Sequence, residues 1–168
     1  MLDLIIKNGN CYIDGALKDV DVSVKDGKIH DIGQIHEEAK TLVDAKGLTV
    51  LPGCIDTQTH FREPGSSDTE DLNSGGRAAI VGGITAVFEM PNTNPPTSNK
   101  KEFQRKLDLA KNRMYCNYAF YFGATADNAN DLADLKNLEG CCGIKLFAGS
   151  STGNLLVADE KDIETVFK

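Results

Sequence analysis

Along the first 50 residues, apolar and polar positions alternate in short runs broken by turn residues. The run LDLIIKNGNCYI alternates and meets Asn8-Gly9-Asn10, a hairpin signal. In DVDVSVKDGKIHDIG, Val20, Val22 and Val24 face polar neighbours; the pattern breaks at Asp26-Gly27 and resumes with Ile29 and Ile32. KTLVDAKGLTVLPG supplies a further strand pair about Lys46-Gly47. A period of two with one polar face predicts an antiparallel sheet with one side in water. His30 and His36 fall on that polar face and read as solvated rather than ligating.

The pattern changes near Val50, which places a domain boundary between residues 1–50 and 51–168. TVLPGCID reads as a buried strand, and TEDLNSGGRAAIVGG has helical spacing that ends in glycines. ITAVFEMPNT is an apolar strand closed by a Pro-Asn turn. SNKKEFQRKLDLAKN is an amphipathic helix, with Ser98 as its candidate N-cap and Phe103, Leu107 and Ala110 on one face. MYCNYAFYFGAT, NANDLADLKNLEG, CCGIKLFAG and DEKDIETVFK continue as strand, helix, strand and helix. Strands alternating with helices of this length predict an α/β fold of four βα units on a parallel sheet. A (β/α)8 barrel takes ~250 residues, so the second segment corresponds to about its first half.

In a parallel sheet of this kind, chemistry gathers at the strand C-terminal ends. The stretch DTQTHFREPG, residues 56–65, stands at the first such end. Side chains on a strand alternate, so Gln58 and His60 are expected to point one way and Thr57, Thr59 and Phe61 the other. Two donors aimed into one space suit a metal site; a polar strand end with one satisfied histidine is the plainer alternative. Asn92 follows the second strand, and Lys145 lies within the fourth. Arg62 offers a planar fork suited to a carboxylate, or it pairs on the surface with Glu63 or Asp68. Asn92 serves as a turn residue in Pro-Asn-Thr, as a binding group, or as both. A lysine inside GIKLFAG is costly to bury as a cation; it becomes an anionic ligand if carboxylated, or snorkels to the strand end.

Composition narrows the field. Of the 168 residues, 40% are apolar and 26% charged, the balance of a soluble globular chain. A net charge of -7 without a Lys/Arg cluster argues against nucleic acid as a partner. Nothing approaches the ~18 apolar residues a membrane span needs, and Met1-Leu2-Asp3 opens no signal peptide. The five cysteines contain no CxxC pair and read as reduced thiols of a cytoplasmic protein. GSSTGN lacks the Gly-Lys-Ser/Thr ending of a phosphate loop and reads as a mobile loop over the site.

LPGCIDTQTHFREPG, GGRAAIVGGITAVFEMPNTNPPT and GIKLFAGSSTGNLLV together resemble the dihydroorotases of the cyclic-amidohydrolase superfamily, relatives of hydantoinases and allantoinases. REPG and MPNT favour the dihydroorotase branch. The resemblance implies a small β-sandwich joined to a metal-binding (β/α)8 barrel. It implies zinc, one or two per full-length chain, and reversible hydrolysis of dihydroorotate to N-carbamoyl-aspartate in pyrimidine biosynthesis. Carried over by position, His60 is a zinc ligand and Lys145 stands where relatives carry a carboxylated lysine between two metals. Arg62 and Asn92 bind substrate. Gln58 replaces the first histidine of the family's His-x-His and is a weaker, uncharged ligand. The later histidines and the catalytic aspartate belong to strands five to eight, so no catalytic residue is assigned within these 168 residues. The chain alone is expected to be inactive and to form homo-oligomers.

Two other readings follow from the same residues. One is a hydantoinase- or allantoinase-like hydrolase acting on another cyclic amide. The other, raised by Gln58, is a non-catalytic homologue serving as a structural partner, for example of aspartate transcarbamoylase.

Overall fold

A computed structural model describes residues 1–151 and 155–168, which fold as two compact units, Met1–Pro52 and Gly53–Lys168. Thr152, Gly153 and Asn154, in the predicted GSSTGN loop, lie outside the described residues.

The first unit contains seven strands: β1 (Leu2–Lys7), β2 (Asn10–Ile13), β3 (Ala16–Asp19), β4 (Asp21–Lys25), β5 (Lys28–Gly33), β6 (Ala39–Asp44) and β7 (Thr49–Val50). They form two sheets, in the orders β5-β4-β1-β6 and β3-β2-β7. Two hairpins close at Asp14-Gly15 and Asp26-Gly27, where both residues of each pair have positive φ, the backbone of a type I′ turn. The other two expected hairpins do not form. Asn8-Gly9 carries the chain from one sheet to the other, and so does the segment around Lys46-Gly47. As a result β1 pairs parallel with β6, and β2 with β7, so both sheets are mixed rather than antiparallel. Local turn chemistry could not reveal this, because the parallel pairings join strands far apart in sequence. Leu2, Ile5 and Ile35 form the buried core of the unit.

The second unit alternates β8 (Cys54–Thr59), α1 (Leu72–Val81), β9 (Ile84–Glu89), α2 (Lys100–Ala110), β10 (Asn117–Gly123), β11 (Cys141–Lys145) and α3 (Glu160–Val166). Its sheet is entirely parallel in the order β11-β10-β9-β8. Each strand lies beside its sequence neighbour, with no reversal of direction. That winding belongs to a (β/α) barrel; a doubly wound sheet reverses at a switch point.

Helix α1 starts at a capping box, in which the Asp71 side chain accepts from the Ser74 amide and Ser74 in turn bonds the Asp71 amide. Helix α2 is capped by Asn99, one residue beyond the expected Ser98, and buries Phe103 and Ala110 as its period predicts. The third connection is a 3-10 helix at Ala129–Leu135 rather than an α-helix. Its buried residues, Ala129, Leu132 and Leu135, recur at every third position, the repeat of a 3-10 turn. A core of Phe61, Leu72, Val87, Phe103, Phe120 and Phe122 lies between sheet and helices.

The stretch TVLPGCID is divided rather than continuous: Thr49–Val50 belongs to the first unit, and β8 begins at Cys54. Nor is β8 buried, since Ile55 is 59% exposed. It is an edge strand with no partner on its outer side among the described residues, and β11 is the other edge. No described helix is long and apolar enough to cross a membrane.

An open parallel sheet with two unpaired edges recruits other chains. The isolated 168-residue chain is therefore expected to sediment as species heavier than one chain; a monodisperse monomer would contradict this.

Candidate active site at the strand ends

The chain leaves β8 at Thr59, whose hydroxyl donates to the Phe88 carbonyl at 3.3 Å, and β9 at Glu89. The two loops that follow, residues 60–66 and 90–97, are fastened to each other by backbone hydrogen bonds. Met90 donates to the Thr59 carbonyl at 2.9 Å, and Asn94 to the Pro64 carbonyl at 3.0 Å. At Gly65, φ is 115°, and a Cβ there would lie 2.6 Å from the Asn94 Cβ. Only glycine allows the loops to approach this closely.

Glu63, in the middle of REPG, is a structural anchor. Its carboxylate is nearly buried and receives both arms of the Arg113 guanidinium, at 2.8 and 3.1 Å, and the Leu72 amide at 2.9 Å. This is the bidentate geometry of a strong charge-assisted pair. It ties the first loop to the start of α1 and to the chain just beyond α2. Phe61 turns toward α1, where a Cβ on Gly75 would come within 2.5 Å of its ring.

With Phe61 and Glu63 turned inward, their neighbours point elsewhere. His60 is half-buried, and its Nδ1 lies 3.0 Å from the Asn92 Oδ1. An amide oxygen only accepts, so Nδ1 carries the proton. Burial holds the His60 pKa below its ordinary value, the Asn92 hydrogen bond opposing and the charges of Arg62, Lys145 and Lys106 reinforcing it. Near pH 7 the ring is therefore neutral, with its lone pair on Nε2. Arg62 is exposed, and its backbone adopts a left-handed conformation, φ 59°. It pairs with neither Glu63 nor Asp68; among the described residues its guanidinium forms no ion pair. The Lys145 ammonium, at the end of β11, lies 5.0 Å over the Phe147 ring. Gln58 is exposed; its backbone N–H donates to Asp56 Oδ1 at 2.9 Å, and no hydrogen bond among the described residues joins its side chain to His60. The pairing of β8 with β9 shifts between Asp56 and Thr59, which interrupts the regular alternation. The structure thus brings His60 and Asn92 together in one hydrogen bond.

Beneath these loops, Glu89 and Lys106 form an ion pair that is almost completely excluded from water. Burial pushes the Glu89 carboxyl up to about 7 against the pull of Lys106, and pushes the Lys106 ammonium down. Burial also pushes the Cys142 thiol up to about 12, so it is no nucleophile at neutral pH. The sequence offers Glu63 only as a surface partner of Arg62 and gives no role to Glu89, Lys106 or Arg113. The available signals were a glutamate inside the apolar run ITAVFEMP and a lysine three residues after Phe103 on the core face of α2.

A family model described as the Amidohydrolase family matches residues 49–152. The chain belongs to the amidohydrolase family. It is 40% identical over 162 residues to an allantoinase of Escherichia coli O1:K1 / APEC, covering 96% of this chain and 36% of the relative. It superposes on the L-hydantoinase (dihydropyrimidinase) of Arthrobacter aurescens with a TM-score of 0.90 and 28% identity, covering 99% of this chain and 38% of that one. On a D-hydantoinase it gives 0.80 and 32%, covering 97% and 36%. The chain thus spans 36% of the length of the allantoinase. These relatives support the cyclic-amidohydrolase level of the resemblance; they do not establish the dihydroorotase branch.

The zinc implied by the resemblance can be tested against the donors present. His60 fits: a ligating imidazole typically donates its other N–H to an oxygen, as Nδ1 does here to Asn92. No three His, Cys, Asp or Glu side chains converge among the described residues, Gln58 is a neutral amide turned to solvent, and Lys145 lies over an aromatic ring. Among the described residues His60 is one prepared imidazole, and no group of three His, Cys, Asp or Glu side chains forms around a metal position.

The contrast between the two arginines is measurable by urea unfolding. Arg113→Ala strands a buried carboxylate and is expected to lower stability by about 1–3 kcal/mol. Arg62→Ala should change it by less than about 0.5 kcal/mol. Equal losses would make Arg62 structural.

Proposed function

We propose that the protein hydrolyses the ring amide bond of a cyclic ureide or related cyclic amide, and that these strand ends form the substrate-orienting side of its active site. In that reaction water adds to the ring carbonyl carbon, the ring C–N bond breaks, and the departing nitrogen takes a proton. The products are a carboxylate and a ureido group, or an amine where the ring is a simple cyclic amide. One observation carries the reading: a neutral imidazole, oriented by Asn92, stands at the strand ends within reach of positive charge from Arg62 and Lys145. The concentration of cations is notable in a chain of net charge -7. It suits substrates that are anionic or develop negative charge at a carbonyl oxygen.

The names of the similar proteins favour an allantoin- or hydantoin-type ring. Arg62 favours a ring that bears a carboxylate, as dihydroorotate does, because its guanidinium is exposed and has no ion-pair partner among the described residues. In either case Arg62 orients the ring, and the hydrogen bond to Asn92 keeps the His60 lone pair on Nε2.

A panel of hydantoin, allantoin and dihydroorotate, assayed with the intact gene product, separates the two. If a carboxylate-bearing ring is the substrate, Arg62→Ala should lower kcat/KM for it by about tenfold to a hundredfold, the equivalent of losing a charge-assisted pair. Neutral rings should lose far less. Absence of turnover on every ring amide would overturn the proposed reaction.

A further inference from the structure

We propose that Glu89 and Lys106 are positioning residues, a buried clamp that holds the loops carrying His60 and Asn92 in register. An ion pair in an apolar interior is seldom the most stable solution, since a well-packed apolar pair is often as good or better. Here neither charge serves only the other. Glu89 Oε1 accepts the Phe61 amide N–H at 3.2 Å, one residue after His60. Lys106 Nζ donates to the Met90 carbonyl at 2.9 Å, two residues before Asn92. The two side chains contact each other, and the ammonium also lies 5.2 Å from the centre of the Phe120 ring.

These contacts form a closed path. It runs from His60 through the Phe61 amide to Glu89, across to Lys106, up through the Met90 carbonyl to Asn92, and back to His60 across the 3.0 Å hydrogen bond. Lys106 reaches the path from α2, a separate element, so the path couples the rim to the packing of that helix on the sheet. Neither residue touches the reacting atoms in this arrangement; both act through the loops. The meaning of the positioned pair rests on the proposed hydrolase function, but the positioning itself can be read without any substrate.

The test compares the 168-residue chain with E89L/K106M, which replaces the ion pair by apolar side chains and removes both backbone anchors. The melting temperature should stay at or above the parent value. Meanwhile the Phe61 amide should exchange with solvent about tenfold faster or more, and the NMR contacts between the His60 ring and Asn92 should weaken or vanish. A purely structural pair would predict the reverse, a lower melting temperature with the His60–Asn92 contacts intact, and a folded double variant with those contacts and the Phe61 protection unchanged overturns the proposal. Should the double variant fail to fold, Lys106→Met alone decides: it frees the Met90 carbonyl while Glu89 can take up a proton and keep Phe61. Weakened His60–Asn92 contacts then support the clamp, and unchanged contacts overturn it.

Discussion

Taking a carboxylate out of water is costly unless its oxygens find donors, and at Glu63 three donors come from two other parts of the unit. The guanidinium beyond α2 supplies two of them and the first turn of α1 the third, while Glu63 itself belongs to the loop after β8. A loop fixed at its centre in this way has little freedom for its neighbours. Phe61 must fill the core over Gly75, and the residues on either side of Phe61, His60 and Arg62, are left for the rim. The motif that bears His60 and Arg62 is therefore held in place by its least conspicuous member, Glu63.

The second unit was largely legible in the sequence because its order of elements follows local signals. Strand and helix periods and the glycines after α1 place each element within a few residues. The parallel sheet with its strands in sequential order then gathers His60, Arg62, Asn92 and Lys145 at one end. The first unit was less legible, since its parallel pairings connect β1 to β6 and β2 to β7, and no local turn encodes such contacts. The 3-10 helix is indistinguishable from an α-helix in the sequence because Leu132 and Leu135 satisfy either period over so short a run.

Charge was the subtler signal. A lysine in an apolar segment must be specially accommodated, and Lys145 lies half-buried at a strand end over Phe147. The requirement applies with more force to Lys106, whose ammonium is fully buried against Glu89. Lys106 was hidden by its neighbours in sequence: in a helix rich in lysine and arginine it reads as one more solvated charge. Arg113 was hidden by distance, fifty positions from the carboxylate it holds.

What emerges is an amidohydrolase-family chain whose strand ends present an oriented, neutral imidazole beside exposed positive charge. The central claim is the orientation of that imidazole, because the substrate-side chemistry depends on which nitrogen keeps its lone pair. Long-range proton–nitrogen NMR correlations of the His60 ring near pH 7 report the tautomer directly. The account predicts a neutral ring protonated at Nδ1, with Nε2 bare and a Nδ1 proton shifted by its hydrogen bond to Asn92. A ring protonated at Nε2, or charged at that pH, would contradict it.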